Sequence, residues 1–146
     1  MKAIQTEYKG YLFRSRLEAR WAVYFDSLGI NWEYEFEGFE GNGVRYLPDF
    51  YLPDNDIYIE IKPNGHDDKD LYKWKEFGKE DRILILLEGM PNCYSCRIFG
   101  VKGVTRITPF ANLVKSSYGF MWHDYNDFSN VEPFKSAIIN AKQARF

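Results

Sequence analysis

The chain has 146 residues, of which 45% are hydrophobic, 27% charged and 18% aromatic, and its formal net charge is −2. That length holds one ordinary domain, residues 1–146, and is too short for two comfortable ones. The charge excludes a protein that coats nucleic acid through bulk basicity, although a local basic face beside an acidic site averages out of such a sum.

From the start, MKAIQTEYKGYLFRSRLEARW lacks the long apolar core of a secretory signal. The longest apolar run, ILILLEGM at 83–90, is interrupted by Glu88 and is too short to span a bilayer. Cys93 and Cys96 do not make a disulfide framework. The expectation is a cytoplasmic, soluble protein with no membrane partner.

The clearest helix is FRSRLEARWAVYFDSLGI at 13–30. Leu17, Trp21, Tyr24, Phe25 and Leu28 recur at helical spacing, Gly29 is a natural stop, and Ser15 with Glu18 fits a capping box. NWEYEFEGFE at 31–40 then alternates Trp32, Tyr34 and Phe36 against Glu33, Glu35 and Glu37, which predicts a strand with one wet face. GNG at 41–43 is a turn, VRYLPDFYL at 44–52 a second strand, PDND at 53–56 another turn, and IYIEIK at 57–62 a third strand. KDLYKWKEFGKE at 69–80 predicts a second helix, with Leu71, Trp74 and Phe77 on one face. RILILL at 82–87 has the pattern of a central strand buried on both faces. Beyond it, CRIFGVKGVTRIT predicts one or two short strands, PFANLVKS a short helix, YGFMWHDY a strand, and EPFKSAIINAKQARF a terminal helix with Pro133 near its first turn. No internal repeat, low-complexity tract or linker is evident. The expected fold is α/β with a mixed sheet flanked by helices, in the order αβββαβ over about residues 10–90, followed by a β/α extension over about 91–146.

Two of these strands carry charge where apolar residues are expected. In IYIEIK, Ile57, Ile59 and Ile61 share one face, and Tyr58, Glu60 and Lys62 share the other. The turn at 53–56 folds Asp49 back alongside Glu60. Converging carboxylates repel unless a cation lies between them. A hard divalent ion, Mg²⁺ or Mn²⁺, suits such oxygens, and the backbone carbonyl of Ile61 offers one more. Lys62 beside such an ion favours hydroxide and holds a water for attack on phosphorus.

PDF at 48–50 followed by EIK at 60–62 resembles the PD-(D/E)XK nuclease superfamily, whose restriction-endonuclease-like core has the element order above. FRSRLEARW, WEYE, YLPDFYLP and YIEIK together are similar to phage Holliday-junction resolvases of the endonuclease I type and to the nuclease domain of TnsA-like transposase subunits. The resemblance covers roughly the first half of the chain. It implies Asp49 and Glu60 as metal ligands, Lys62 as the water-orienting residue, and Glu18 as an acid contributing to the same or a second metal. Pro63 departs from the commoner pattern, in which a glycine follows the lysine; a strand ends readily at proline.

Each residue also has a plainer role. Asp49 suits a strand edge, and Glu60 with Lys62 an exposed ion pair worth at most about 1 kcal/mol. Glu18 has a sufficient task as the third residue of its helix. Arg14 lies one turn before Glu18 and bridges to it or reaches a phosphate; with Lys9 it is a candidate nucleic-acid contact. Arg16 and Arg20 are expected in solvent, and Asp54 and Asp56 in turns. Cys93 and Cys96 have zinc-knuckle spacing, but His66 and His123 are the only histidines and do not complete a structural set. His66 follows the charged strand as a lone loop histidine. Tyr118, Phe120 and Trp122 suit a core as readily as base stacking.

The leading expectation is a metal-dependent DNA endonuclease, with structure-selective cleavage of branched DNA implied by the resemblance. Resolvases act on two strands, which implies a homodimer. Two alternatives stand beside it: a non-catalytic binding or anti-defence protein that keeps the nuclease fold, and a subunit active only with a protein partner.

Overall fold

Alternating isoleucines set the centre of the molecule. In the computed structural model, which describes residues 3–80, 82–91, 95–100, 105–109 and 132–146, Ile57, Ile59 and Ile61 are buried at 5%, 0% and 6% exposure. They lie on the seventh of the ten strands among the described residues. The elements in order are β1 (Thr6–Tyr8), β2 (Tyr11–Phe13), α1 (Arg16–Ser27), β3 (Glu33–Tyr34), β4 (Phe39–Gly41), β5 (Val44–Tyr46), β6 (Phe50–Leu52), β7 (Ile57–Lys62), α2 (Asp68–Gly78), β8 (Ile83–Glu88), β9 (Ser95–Gly100), β10 (Thr105–Pro109) and α3 (Phe134–Gln143). The chain is therefore mixed α/β, as the periodicity predicts.

Among the described residues, six strands form the main sheet in the order β10-β9-β8-β7-β6-β3. Of these six, β7 and β8 run parallel, with Glu60 beside Leu86 and Lys62 beside Glu88; the other described pairs are antiparallel. The β7–β8 crossover is α2, which opens on a complete capping box between Asp67 and Asp70.

Both faces of this sheet are covered. On one, the isoleucines of β7 with Ile85 and Leu87 of β8 pack against Ala19, Trp21, Ala22 and Phe25 of α1, and against Phe134, Ala137, Ile138 and Ala141 of α3. The C-terminal helix, assigned from sequence to an extension, is thus built into the first core cluster. On the other face, Leu84, Leu86 and Phe99 meet Trp74 and Phe77 of α2 and Tyr46 of β5. Burial of β8 on both faces follows from its unbroken apolar run. Helix α1 is stopped by a Schellman motif: Gly29 N–H donates to Asp26 O at 3.0 Å, and Ile30 N–H to Phe25 O at 2.9 Å. Gly29 supplies the positive φ of 71° that this stop requires.

Four expectations are corrected. The strand expected over 31–40 is split: Glu33 and Tyr34 pair with β6, and Phe39 and Glu40 with β5, because Glu35 turns to a φ of 48° and its N–H donates to Asp49 O at 2.9 Å. The strand expected over 44–52 is two strands: β5 pairs with β4 in a separate hairpin, and β6 joins the main sheet. Between them lies Pro48, which has no N–H to donate to a ladder. An unforeseen hairpin, β1–β2, precedes α1, and the helix begins at Arg16 rather than 13 because Ser15 caps it. Finally, Arg20 does not stand in solvent. Its Nη1 donates to the carbonyls of Ala141, Lys142 and Ala144, and its guanidinium lies 5.5 Å from the Phe146 ring centre. The short helix and last strand expected between 110 and 131, Cys93, and the side chains of Cys96, Tyr118, Phe120, Trp122 and His123 lie outside the described residues.

Candidate functional site

Three acidic residues come together where α1 begins and β7 ends. Among the described residues, Glu18 and Glu60 are the buried acids, at 6% and 8% exposure; Asp49 is half-buried. Each is held by a nearby donor. Glu18 Oε2 accepts from Ser15 Oγ at 2.8 Å, and Oε1 from the Tyr34 hydroxyl at 3.1 Å. Asp49 Oδ2 accepts from the Ile61 N–H at 2.8 Å. Glu60 Oε2 accepts from the Tyr46 hydroxyl at 2.6 Å.

Local sequence explains these positions. Ser15 and Glu18 are the N-cap and third residue of α1, so the cap fixes Glu18 at the helix entrance. Asp49 follows Pro48 in the break between β5 and β6, where the Glu35 N–H holds its carbonyl. Glu60 alternates with isoleucines, so burial of Ile59 and Ile61 on one face fixes it on the other.

Electrostatics tie the three together. Burial, then the charges of Glu60 and Glu18, push the Asp49 carboxyl well above its ordinary range, against the Ile61 N–H, which favours the ionised form. Burial pushes Glu60 up to about 7, with Glu18 adding to it; Tyr46, Lys62 and Lys73 oppose the rise. Burial and Glu60 also push the Tyr46 hydroxyl well up, so it stays protonated and donating.

Lys62 lies one alternate position beyond Glu60. Its ammonium is 3.8 Å from Asp70 Oδ2 and 5.9 Å from the centre of the Trp74 ring, both on α2. Gly89 N–H donates to Lys62 O at 2.8 Å while Gly89 O accepts from the Trp21 indole at 3.0 Å, which locks the end of β7 to β8 and α1.

The remaining candidates lie outside this group. Arg14 makes a two-bond fork to Glu35, at 3.1 and 2.9 Å, rather than a bridge to Glu18, one of the two roles open to it from sequence. Its backbone N–H donates to the Tyr34 hydroxyl at 3.1 Å, so it touches Glu18 through one intermediary. Lys9 is 3.0 Å from Asp26, which also accepts from Tyr8 and Trp32. His66 packs edge-on against Trp74. Asp54 and Asp56 lie in the turn before β7, where Asn31 and Tyr51 donate to them.

The donor set suits a hard divalent ion in kind: carboxylates whose proton affinity rises through burial and the charge of neighbouring carboxylates, with the Ile61 carbonyl next to Glu60 on β7. In position it is looser. Among the described residues no group of three or more His, Cys, Asp or Glu side chains is gathered to hold one ion. Tyr34, Tyr46 and Lys73, the polar neighbours of these acids, were missed from the sequence. Alternation marks the tyrosines only as strand residues, and their partners lie 16 and 14 positions away. No protein-family model and no curated protein matches the chain.

Proposed function

We propose that the chain is a metal-dependent endodeoxyribonuclease with a restriction-endonuclease-like core of the PD-(D/E)XK type, acting on branched DNA. The observation that supports this most is the convergence of Glu18, Asp49 and Glu60 in one electrostatic group, with Lys62 on the same strand as Glu60. Asp49 and Glu60 would hold Mg²⁺ or Mn²⁺, with Glu18 and the Ile61 carbonyl as further oxygens. The ion would supply Lewis acidity toward the phosphate and lower the pKa of water. Lys62 orients the attacking water and balances charge developing at phosphorus, while Asp70 and Trp74 position its ammonium. Tyr46 keeps Glu60 facing the site. Arg14 and Lys9, at 70% and 58% side-chain exposure, remain open to flanking phosphates.

A second reading is a non-catalytic binding protein on the same scaffold. It is favoured by the separate donor that satisfies each carboxylate and by the absence, among the described residues, of a gathered metal set. A panel of labelled duplex, single-stranded and junction DNA, incubated with Mg²⁺ or with EDTA, separates the two. The nuclease cuts with Mg²⁺, is silent in EDTA, and loses on the order of a hundredfold or more in rate as Glu60→Ala or Lys62→Ala. Unchanged cutting by those variants refutes the site. No divalent binding by calorimetry, together with a tight protein partner, establishes the second reading.

A further inference from the structure

Helix α2 carries Lys69, Tyr72 and Lys73 at i, i+3 and i+4, so the three share one side. Facing them, the tip of the β4–β5 hairpin at Gly43, Val44 and Arg45 forms the second wall of an open cleft of about 460 Å³. Among the described residues, Asp68 is the one acid in its lining, against three cations, in a chain whose net charge is −2.

Lys69 and Tyr72 are exposed, and Lys73 is half-buried. Among the described residues, no carboxylate lies within 4.0 Å of the Lys69 or Lys73 ammonium. Arg45 is paired with Glu40 at 2.6 Å, yet its side chain is 86% exposed. Tyr72 is 53% exposed and lines the same cleft beside the two lysines. The cleft also adjoins the acidic group. Lys73 lies 5.9 Å from the Tyr46 ring centre, the Tyr46 hydroxyl is bonded to Glu60, and the Lys73 charge is among those opposing the rise of Glu60.

We propose that this cleft binds an unpaired nucleic-acid strand and leads it toward Glu60. Lys69, Lys73 and Arg45 meet successive phosphates, and Tyr72 stacks under a base. The direction of travel rests on the nuclease reading; the binding does not. An unpaired strand, rather than a duplex, is the fitting occupant because a duplex keeps its base faces stacked inside and offers Tyr72 nothing to cover. An acidic protein segment would use the lysines but would leave the ring without a partner of its own kind.

The test is fluorescence anisotropy of a labelled single-stranded oligonucleotide and its duplex in EDTA, where no cleavage intervenes. It compares wild type, Lys69→Gln/Lys73→Gln and Tyr72→Ala, with thermal melts to confirm folding of these surface variants. The double variant is expected to lose at least tenfold in single-strand affinity at low salt. Its slope of log affinity against log salt is expected to fall by about 1.4, roughly 0.7 for each phosphate that is no longer neutralised. Tyr72→Ala is expected to weaken single-strand binding about tenfold and duplex binding little. Folded variants that bind the single strand as wild type does overturn the proposal, as does a wild type that binds no oligonucleotide. Wild-type binding in EDTA with cleft-dependent loss, but no cutting in Mg²⁺, keeps the cleft and removes the nuclease reading instead.

Discussion

Tyr46 and Glu60, fourteen residues apart, are joined by a 2.6 Å hydrogen bond between β5 and β7, and both are buried. The bond is the link by which a surface hairpin orients the central acid of the site. Tyr46→Phe keeps the ring against Phe77 but removes the donor. The variant is expected to lose about 1–3 kcal/mol of stability at neutral pH, because Glu60 keeps its burial and loses its partner. Urea unfolding measures this; an unchanged midpoint and slope would show that Glu60 finds another donor.

The raised proton affinities predict an unusual dependence of stability on pH. Glu60 is pushed from its ordinary 4.5 to about 7 in the folded chain, and Asp49 is raised as well. An acid raised on folding binds its proton more tightly in the native state, so its contribution is complete below about 4.5 and is lost as pH rises through 7. For Glu60 alone that loss is on the order of 3 kcal/mol, at about 1.4 kcal/mol per pH unit. In EDTA, melts are therefore expected to show lower stability at pH 8 than at pH 5.5. Mg²⁺ is expected to restore stability at pH 8 and to do little at pH 5.5, since a bound cation favours the ionised carboxylates. A melting temperature that climbs steadily from pH 5.5 to 8 in EDTA contradicts the shifts.

Arg20 ties the ends of the chain together through the carbonyls of Ala141, Lys142 and Ala144 at the C-terminus of α3. A cation there also complements the helix dipole. Arg20→Met preserves much of the stem and removes the donors. The expected loss is about 1–3 kcal/mol, and amide exchange is expected to quicken in α3 before β7. Exchange in α3 that stays at the wild-type rate would make these bonds incidental.

Much of the centre was readable from sequence because burial enforces a period. The isoleucines of β7, the all-apolar run of β8 and the helical spacing in α1 announced their elements, since each has one environment per face. Residues 31–52 misled because alternation signals an extended chain without saying where pairing stops. Glu35 and Pro48 end the ladders, and only the fold shows that both breaks serve Asp49. The β1–β2 hairpin had a signal: Lys9 and Gly10, at φ 51° and 82°, form a two-residue turn of the type favoured between paired strands. Asp49 and Glu60 were singled out by strand position and resemblance, and Glu18 by the resemblance. Their hydroxyl partners were not, because a contact between distant strands leaves no trace in local spacing.

Glu18 has two tasks that one substitution separates. As the third residue of α1 it accepts from Ser15 and Tyr34; as a member of the acidic group it adds charge that raises Asp49 and Glu60. Glu18→Gln keeps a side chain of the same length and an oxygen acceptor for one of these hydroxyls, and removes the charge. If Glu18 serves only the helix, the variant is slightly less stable at every pH and binds Mn²⁺ as wild type does. If it serves the site, stability at pH 8 without metal holds or rises, because repulsion with Asp49 and Glu60 is relieved. Mn²⁺ affinity by calorimetry then falls about tenfold or more, as expected when an anionic oxygen is lost from a hard-cation site. The second pattern is expected. Its decisive feature is the opposite sign of the two changes, since a lost cap lowers stability and leaves metal affinity alone.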